Sequence, residues 1–140
     1  MDADTTGWVD PDTETEAREV YESLEPTARS VVRETAKAMA FDRSEYETRV
    51  TPEVVETVRD ALFASLLAVT VGSREAFENW REDYDGEVVE IGSENVDRVV
   101  WHAPGFADEA VAATFQDEPD AAIGTLRRQA FGRLYREVVR

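Results

Sequence analysis

The chain has 140 residues, of which 31 are Asp or Glu, 14 are Arg, one is lysine (Lys37) and none is cysteine. Its net charge of −16 opposes compaction in dilute buffer, and the absence of cysteine excludes disulfides, thiolate nucleophiles and thiolate metal sites. No window approaches the ~18 apolar residues of a membrane span, and the start has no basic or apolar leader. The composition therefore predicts a soluble cytoplasmic protein with one hydrophobic core.

The first twelve residues are predicted to form a flexible acidic tail. They contain Gly7 and Pro11 and show no hydrophobic period. Residues 13–140 contain no linker and no internal repeat, so we expect them to form a single domain.

Three helices are predicted after the tail. Thr13 begins a T-x-x-E capping box before the first helix, Pro26 begins the second, and Thr51 caps the third. Apolar residues recur at helical spacing in each of these segments. Ser44 begins another capping box, which predicts a helix of one or two turns before the third long helix.

The middle of the chain predicts a small sheet of about three strands. Residues 67–71 alternate between apolar and small or polar side chains before a turn, and Ser73 then caps a predicted helix that ends near Tyr84. Two valine-rich segments, 87–91 and 96–103, are typical of the two strands of a hairpin.

The hairpin register is predicted from charge. A four-residue loop would place Glu90 opposite Asp97, whereas a three-residue loop pairs Glu90 with Arg98. Opposite charges across a strand pair are favourable, so we expect the shorter loop. This register places Val89 on the face of Trp101, and it places Val88 on the opposite face with His102.

The pattern returns to helical spacing after Gly105, which predicts two closing helices over residues 107–115 and from Pro119 to the end. The predicted fold is therefore α+β. It has three amino-terminal helices, a sheet of about three strands with a hairpin, and two closing carboxy-terminal helices.

The carboxy-terminal helix is basic, unlike the rest of the chain, because residues 126–140 contain five Arg and one acid, Glu137. Basic residues here can complement the helix dipole or pair with acidic helices beside them. They can also bind an acidic protein partner or a second subunit, because Arg and Tyr are favoured anchors of interfaces. Nucleic acid fits less well, because the rest of the molecule would repel phosphate. The candidate interaction residues are Arg128, Arg133, Tyr135, Arg136 and Arg140.

Arg127 differs from these residues because it lies four positions after Ile123 and four before Phe131, on the apolar face. We expect a partly buried guanidinium that meets an acid from another helix, with ligand contact as the second interpretation. The sole histidine, His102, falls in a predicted strand. A pocket between the sheet and the closing helices near His102 and Arg127 would favour a small-ligand domain or an enzyme over an interaction module.

Motifs for chemistry are weak throughout the chain. No P-loop, G-x-G-x-x-G, H-E-x-x-H or G-x-S-x-G pattern occurs, and a single histidine cannot build a histidine-rich metal site. Asp83-x-Asp85-Gly86 lacks the remaining ligands of a calcium loop, and a plain acidic turn explains it better. Gly72-Ser73-Arg74 could hold an anion, but helix capping explains the same residues. We therefore expect no cofactor, no metal and no catalytic residue.

Three stretches of the chain, DALFASLLAVTVGSREAF, GSENVDRVVWHAPGF and LRRQAFGRLYREV, resemble those of an uncharacterised family of small acidic haloarchaeal proteins. The resemblance covers most of the chain beyond the tail. It implies a salt-adapted protein, which agrees with the charge, because above roughly 1 M salt the Debye length falls to about 3 Å. It implies no activity, since that family has no assigned activity and no catalytic motif.

Overall fold

The computed structural model describes residues 3–93 and 95–140 and shows a mixed α+β fold. Within these residues one five-stranded sheet has the order β1-β2-β4-β5-β3. Neighbouring strands are antiparallel except for β3 and β5, which are parallel. The strands are β1 (Ala3–Thr6), β2 (Val69–Ser73), β3 (Glu87–Ile91), β4 (Arg98–His102) and β5 (Glu109–Phe115).

The helices begin largely where the caps predict. The side chains of Thr13, Thr51 and Ser73 each accept a hydrogen bond from the backbone three residues on. None of the helices in the described ranges is long and apolar enough to cross a membrane. They are α1 (Glu14–Ser23), α2 (Glu25–Ala38), α3 (Arg43–Arg49), α4 (Pro52–Ser65), α5 (Arg74–Glu82), α6 (Pro119–Ala130), a π-helical segment (Phe131–Tyr135) and α7 (Arg136–Val139).

The sheet separates two hydrophobic clusters. The larger cluster lies against α1, α4 and the carboxy-terminal helices, with Phe63 at its centre in edge contact with Tyr21, Phe131 and Tyr135. The smaller cluster lies on the opposite face, where α5 alone packs Phe77 against the sheet. Because α5 is short, it leaves part of this second face uncovered.

Four residues of the predicted tail, Ala3–Thr6, belong to the sheet. Met1 and Asp2 lie outside the described residues, but β1 pairs with β2 along its whole length. Val9 is buried, and its backbone N–H donates to Leu66 O at 2.9 Å. Residues 3–9 are therefore ordered by backbone pairing, which an acidic sequence without a hydrophobic period does not reveal.

The predicted hairpin is wrong. β3 pairs with β5, and both edges of β4 are occupied by β2 and β5, so Glu90 never faces Arg98. Glu90 instead accepts from Arg74 and Arg81 of α5 at 3.2 and 3.4 Å. The two faces of β3 are also the opposite of those predicted. Val88, rather than Val89, packs with Trp101 in the smaller cluster. Glu94, in the connection after β3, lies outside the described residues.

The predicted helix over residues 107–115 is also wrong. Most of this segment is a strand, which partly explains why the sheet has more strands than predicted. This segment forms β5, the strand next to the edge strand β3, and Ala110, Val111, Ala112 and Ala113 are all buried. A strand covered on both faces has a continuous apolar run rather than alternation. The run of alanines therefore indicated a helix, while packing on both faces of the sheet selected a strand. With β1 added, the sheet has five strands in the described residues instead of about three.

The short helix α3, predicted from the capping box at Ser44, begins two residues earlier than predicted. Its capping box joins Asp42 and Glu45, with the Asp42 side chain accepting from Glu45 N at 2.8 Å. Asp and Ser are both good helix caps, and the sequence offers both within three residues.

Candidate functional site

Arginines lie in a stripe along the carboxy-terminal helix. Gly124, Arg128, Gly132, Arg136 and Arg140 recur at intervals of four residues. The three guanidinium groups border a groove of about 440 Å³ between this helix and α4. We call this groove, lined by Thr57, Asp60, Ala61, Ala64, Arg128, Phe131, Arg136 and Arg140, the arginine groove.

Two of the predicted interaction residues are paired inside the molecule. Arg140 contacts the carboxylates of Glu56, at 3.1 Å, and Asp60. Arg133 donates to Glu109 at 2.6 Å. These pairs use the arginines to join the last helix to α4 and to the sheet, which is the structural role that an acidic neighbourhood favours.

Arg128 and Arg136 have neutral partners. Arg128 donates to the Thr125 hydroxyl at 3.4 Å, and the Arg136 guanidinium lies 5.6 Å from the centre of the Phe131 ring. Within the described residues no carboxylate lies within 4 Å of either guanidinium. Both side chains are exposed, so their charge is directed to solvent along the arginine groove.

Tyr135 is not on this exposed surface, because it is fully buried. Its hydroxyl lies 2.6 Å from His102 Nε2, and His102 Nδ1 lies 2.5 Å from Ala68 O. A carbonyl only accepts, so Nδ1 carries the proton and Nε2 accepts from the tyrosine hydroxyl. Burial lowers the pKa of His102 and raises that of Tyr135, which keeps both groups neutral. His102 and Tyr135 thus tie the sheet to the last helix.

Arg127 is partly buried, and among the described residues it forms no ion pair with an acid. Its Nε donates to Leu67 O at 3.0 Å, and its Nη2 lies 3.5 Å from Thr6 O. Burial lowers the pKa of this guanidinium. The expected ion pair with another helix is therefore replaced by the main-chain carbonyls of Leu67, before β2, and of Thr6, the last residue of β1, which offer partial negative charge at lower desolvation cost.

Neither His102 nor Arg127 is arranged for catalysis. Both ring nitrogens of His102 are engaged within the fold, and the donors of Arg127 hold backbone carbonyls. A general base needs a free lone pair that reaches a bound substrate. Both residues therefore stabilise the packing around the larger cluster.

A second cavity lies on the opposite face of the sheet. It has a volume of about 570 Å³ and opens where β4 ends and β2 begins, beside the last turn of α5. We call it the α5 cavity. His102 contributes to one edge, but Arg127 is not among its lining residues. The cavity thus differs from the predicted pocket, which was placed between the sheet and the closing helices.

Arg74, the basic residue of the possible anion site Gly72-Ser73-Arg74, is engaged within the fold. Arg74 contacts Glu78 and Glu90 and donates to the carbonyls of Ser93 and Val96, so its charge is neutralised within the fold. In the portion of the chain that the structure describes, no group of three or more His, Asp or Glu residues could hold a metal ion.

A family profile matches residues 8–136, which is most of the chain. The chain belongs to DUF5809, a family of unknown function. No curated protein and no solved structure shows significant similarity to it. The match confirms that the chain belongs to an uncharacterised family.

Two features of this DUF5809 member were not visible in its sequence. Asp60 accepts from the Tyr21 hydroxyl at 2.6 Å and also contacts Arg140, which joins α1, α4 and the last helix. Burial and the Asp60 carboxylate raise the pKa of Tyr21 to about 12. Nothing distinguishes Asp60 among 31 acidic residues until the fold places it. The α5 cavity was missed because it depends on strand β1.

Proposed function

We propose that this protein is an interaction module that binds an acidic segment of a partner protein in the arginine groove. The observation that carries the proposal is the pair Arg128 and Arg136. Among the described residues seven arginines form ion pairs with carboxylates, whereas these two contact only neutral groups. Their charge is available to a carboxylate from outside the molecule.

The shape and chemistry of the groove support this occupant. A guanidinium can hold a carboxylate through two parallel N–H donors, and Arg128 and Arg136 lie eight residues apart along one helix. Ala61, Ala64 and Phe131 supply an apolar floor between them. Such a combination of exposed Arg with apolar contacts is typical of residues that dominate binding energy at interfaces.

An acidic protein segment fits the groove better than nucleic acid does. A phosphate polymer extends beyond a short stripe of three arginines and meets a molecule of net charge −16. A short acidic segment needs to contact only the groove. Carboxylates held at hydrogen-bond distance there are also screened by salt less than charges at long range.

The test uses a short fluorescein-labelled peptide rich in Glu, with fluorescence anisotropy as the readout. Arg128→Gln/Arg136→Gln removes both free guanidinium groups from the groove. Arg33→Gln/Arg43→Gln is the matched control, because these exposed residues on α2 and α3 give the same change in net charge. We expect about tenfold weaker binding for the groove variant or more, equivalent to at least about 1.4 kcal/mol.

Equal loss in both variants would show that the peptide senses only net charge and would contradict the proposal. A labelled single-stranded DNA of equal length serves as the competing ligand. Tighter binding of that DNA would overturn the preference for a protein partner. Sedimentation of the unmodified protein tests self-association, and a dimer lost on Arg128→Gln/Arg136→Gln would identify a second copy as the occupant.

We also propose that the protein works in the salt-rich cytoplasm of a haloarchaeon. The excess of acids over bases supports this, because it is tolerated only where self-repulsion is screened. We assign no enzymatic activity, since the histidine is engaged within the fold. The alternative function is that of a small-ligand-binding domain. The α5 cavity supports this alternative.

A further inference from the structure

The α5 cavity is a second candidate site, independent of the arginine groove. Its floor is the uncovered part of the sheet, where Thr5 and Thr70 lie in register on neighbouring strands with their hydroxyl oxygens 3.4 Å apart. One wall is the last turn of α5, and another is the loop after β1, which carries Asp10. The cavity therefore forms only when the amino-terminal segment joins the sheet.

The charge of the lining selects the sign of a ligand. Asp10 and Asp83 are the charged residues among the described residues that line the cavity, and no Arg or Lys accompanies them. The carboxy-terminal end of α5 adds the negative end of a helix dipole at Asp83. An anionic ligand would be repelled by all three of these features.

Three other polar side chains of the lining can accept hydrogen bonds. Thr5 and Thr70 offer hydroxyl oxygens and Asn79 offers an amide oxygen. The indole rings of Trp80 and Trp101, whose centres are 5.6 Å apart, form an apolar wall beside them. A lining of acceptors beside aromatic rings suits a ligand with N–H donors and a short hydrocarbon body.

We propose that the α5 cavity binds a small organic cation that carries an amino or guanidino group. The two carboxylates hold the cationic group or groups, and the hydroxyls and the amide accept the remaining N–H donors. The hydrocarbon part of the ligand lies along the indole wall. A volume of about 570 Å³ accommodates a molecule of this class.

The test uses agmatine, which carries an amino group and a guanidino group on a short chain. The readout is the NMR signal of each indole N–H during titration at fixed ionic strength. We expect saturable shifts for Trp80 and Trp101, which line the cavity, and none for Trp8, which is exposed and does not line the cavity. Succinate and glycerol are the anionic and neutral probes, and neither should produce saturable shifts.

Two variants examine the charges directly. Asp10→Asn/Asp83→Asn removes both carboxylates, and Asp97→Asn/Asp117→Asn makes the same charge change at exposed positions outside the cavity. We expect about tenfold weaker agmatine binding or more for the first variant only, equivalent to at least about 1.4 kcal/mol. Equal weakening in both variants, or no saturation with the unmodified protein, would overturn the proposal.

A third variant separates loss of the site from loss of folding. Asn79→Arg places a fixed cation on the exposed wall of α5, where it can occupy the position of the ligand. We expect an unchanged circular dichroism spectrum and no agmatine binding. A folded Asn79→Arg protein that binds agmatine normally would contradict the assignment of this cavity, whatever the arginine groove does.

Discussion

At the scale of single residues, the buried hydrogen bond between His102 and Tyr135 joins the sheet to the last helix. His102 is 1% exposed, and its two nitrogens join the strand β4 to the residue before β2 and to the π-helical segment. A protonated ring would place a second N–H against the tyrosine hydroxyl and a charge in the core. The contact therefore requires a neutral histidine.

The pH dependence of stability follows from this neutral state. The pKa of His102 is lowered by burial below its ordinary value of 6.5, so near that pH the unfolded chain binds more protons than the folded chain. The free energy of unfolding should therefore fall as pH decreases from about 6.5 toward the folded pKa. NMR titration checks this, because the chain has one histidine. A folded-state Cε1–H signal that titrates at or above 6.5 would contradict the account.

Arg127 offers a second residue-scale prediction with a neighbour as its control. Arg127→Met removes the donors to Leu67 O and Thr6 O and should lower the free energy of unfolding by about 1.5–3 kcal/mol, as for hydrogen bonds to charged groups. Arg128→Met changes the same charge on the exposed side and should have an effect within about 0.5 kcal/mol. Urea unfolding measures the free energy of unfolding of both variants. Equal effects would show that the hydrogen bonds of Arg127 to the backbone do not stabilise the fold.

At the scale of elements, the π-helical segment decides which residues of the last helix are buried. The backbone N–H of Arg136 bonds to Phe131 O, five residues earlier, so the turn holds one extra residue. The buried positions here are Tyr135 and Val139, whereas uninterrupted α-helical spacing would place Leu134 and Val138 on the apolar face. The same shift brings the Tyr135 hydroxyl to His102.

Deleting Gly132 tests this explanation. The deletion should convert the π turn into an α turn while Tyr135 still reaches His102, because the extra residue alone is removed. The control is deletion of Glu34 in the regular helix α2, which should rotate the following residues by about 100° and expose the buried Ala36. Thermal unfolding should therefore tolerate the first deletion and not the second, and the reverse order would contradict the assignment.

Sequence patterns predicted the elements whose cues are local. The caps at Thr13, Thr51 and Ser73 and the exposed Arg128 and Arg136 follow from spacing alone. The alanine-rich β5 and the acidic β1 were missed because their strand character comes from neighbouring strands and not from their own period. The α5 cavity depends on β1, whose Ala3 and Thr5 line it, so no local pattern could predict it.

At the scale of the whole molecule, the distribution of charge governs stability. A net charge of −16 on 140 residues remains unscreened in dilute buffer, although the described fold pairs several arginines with acids. Because the interior is packed around aromatic clusters, we expect repulsion at the surface, rather than a poor core, to limit folding in dilute buffer.

Salt should therefore raise the thermal stability steeply. Between about 0.1 and 2 M KCl the Debye length falls from about 10 Å to below 3 Å, which removes most repulsion between surface carboxylates. Differential scanning calorimetry should show a rising melting temperature across this range. Sucrose at equal osmolality is the control, because it does not screen charge, and an unchanged melting temperature in KCl would refute the salt-adapted surface.

The proposed binding surface for an acidic segment is formed by Arg128 and Arg136. Its most direct test is the NMR footprint of a Glu-rich peptide on the isotopically labelled protein. We expect the shifts to concentrate on Arg128 and Arg136 and on Thr57 and Ala61 across the groove. Shifts confined to other surfaces, or a footprint spread evenly over the molecule, would contradict it.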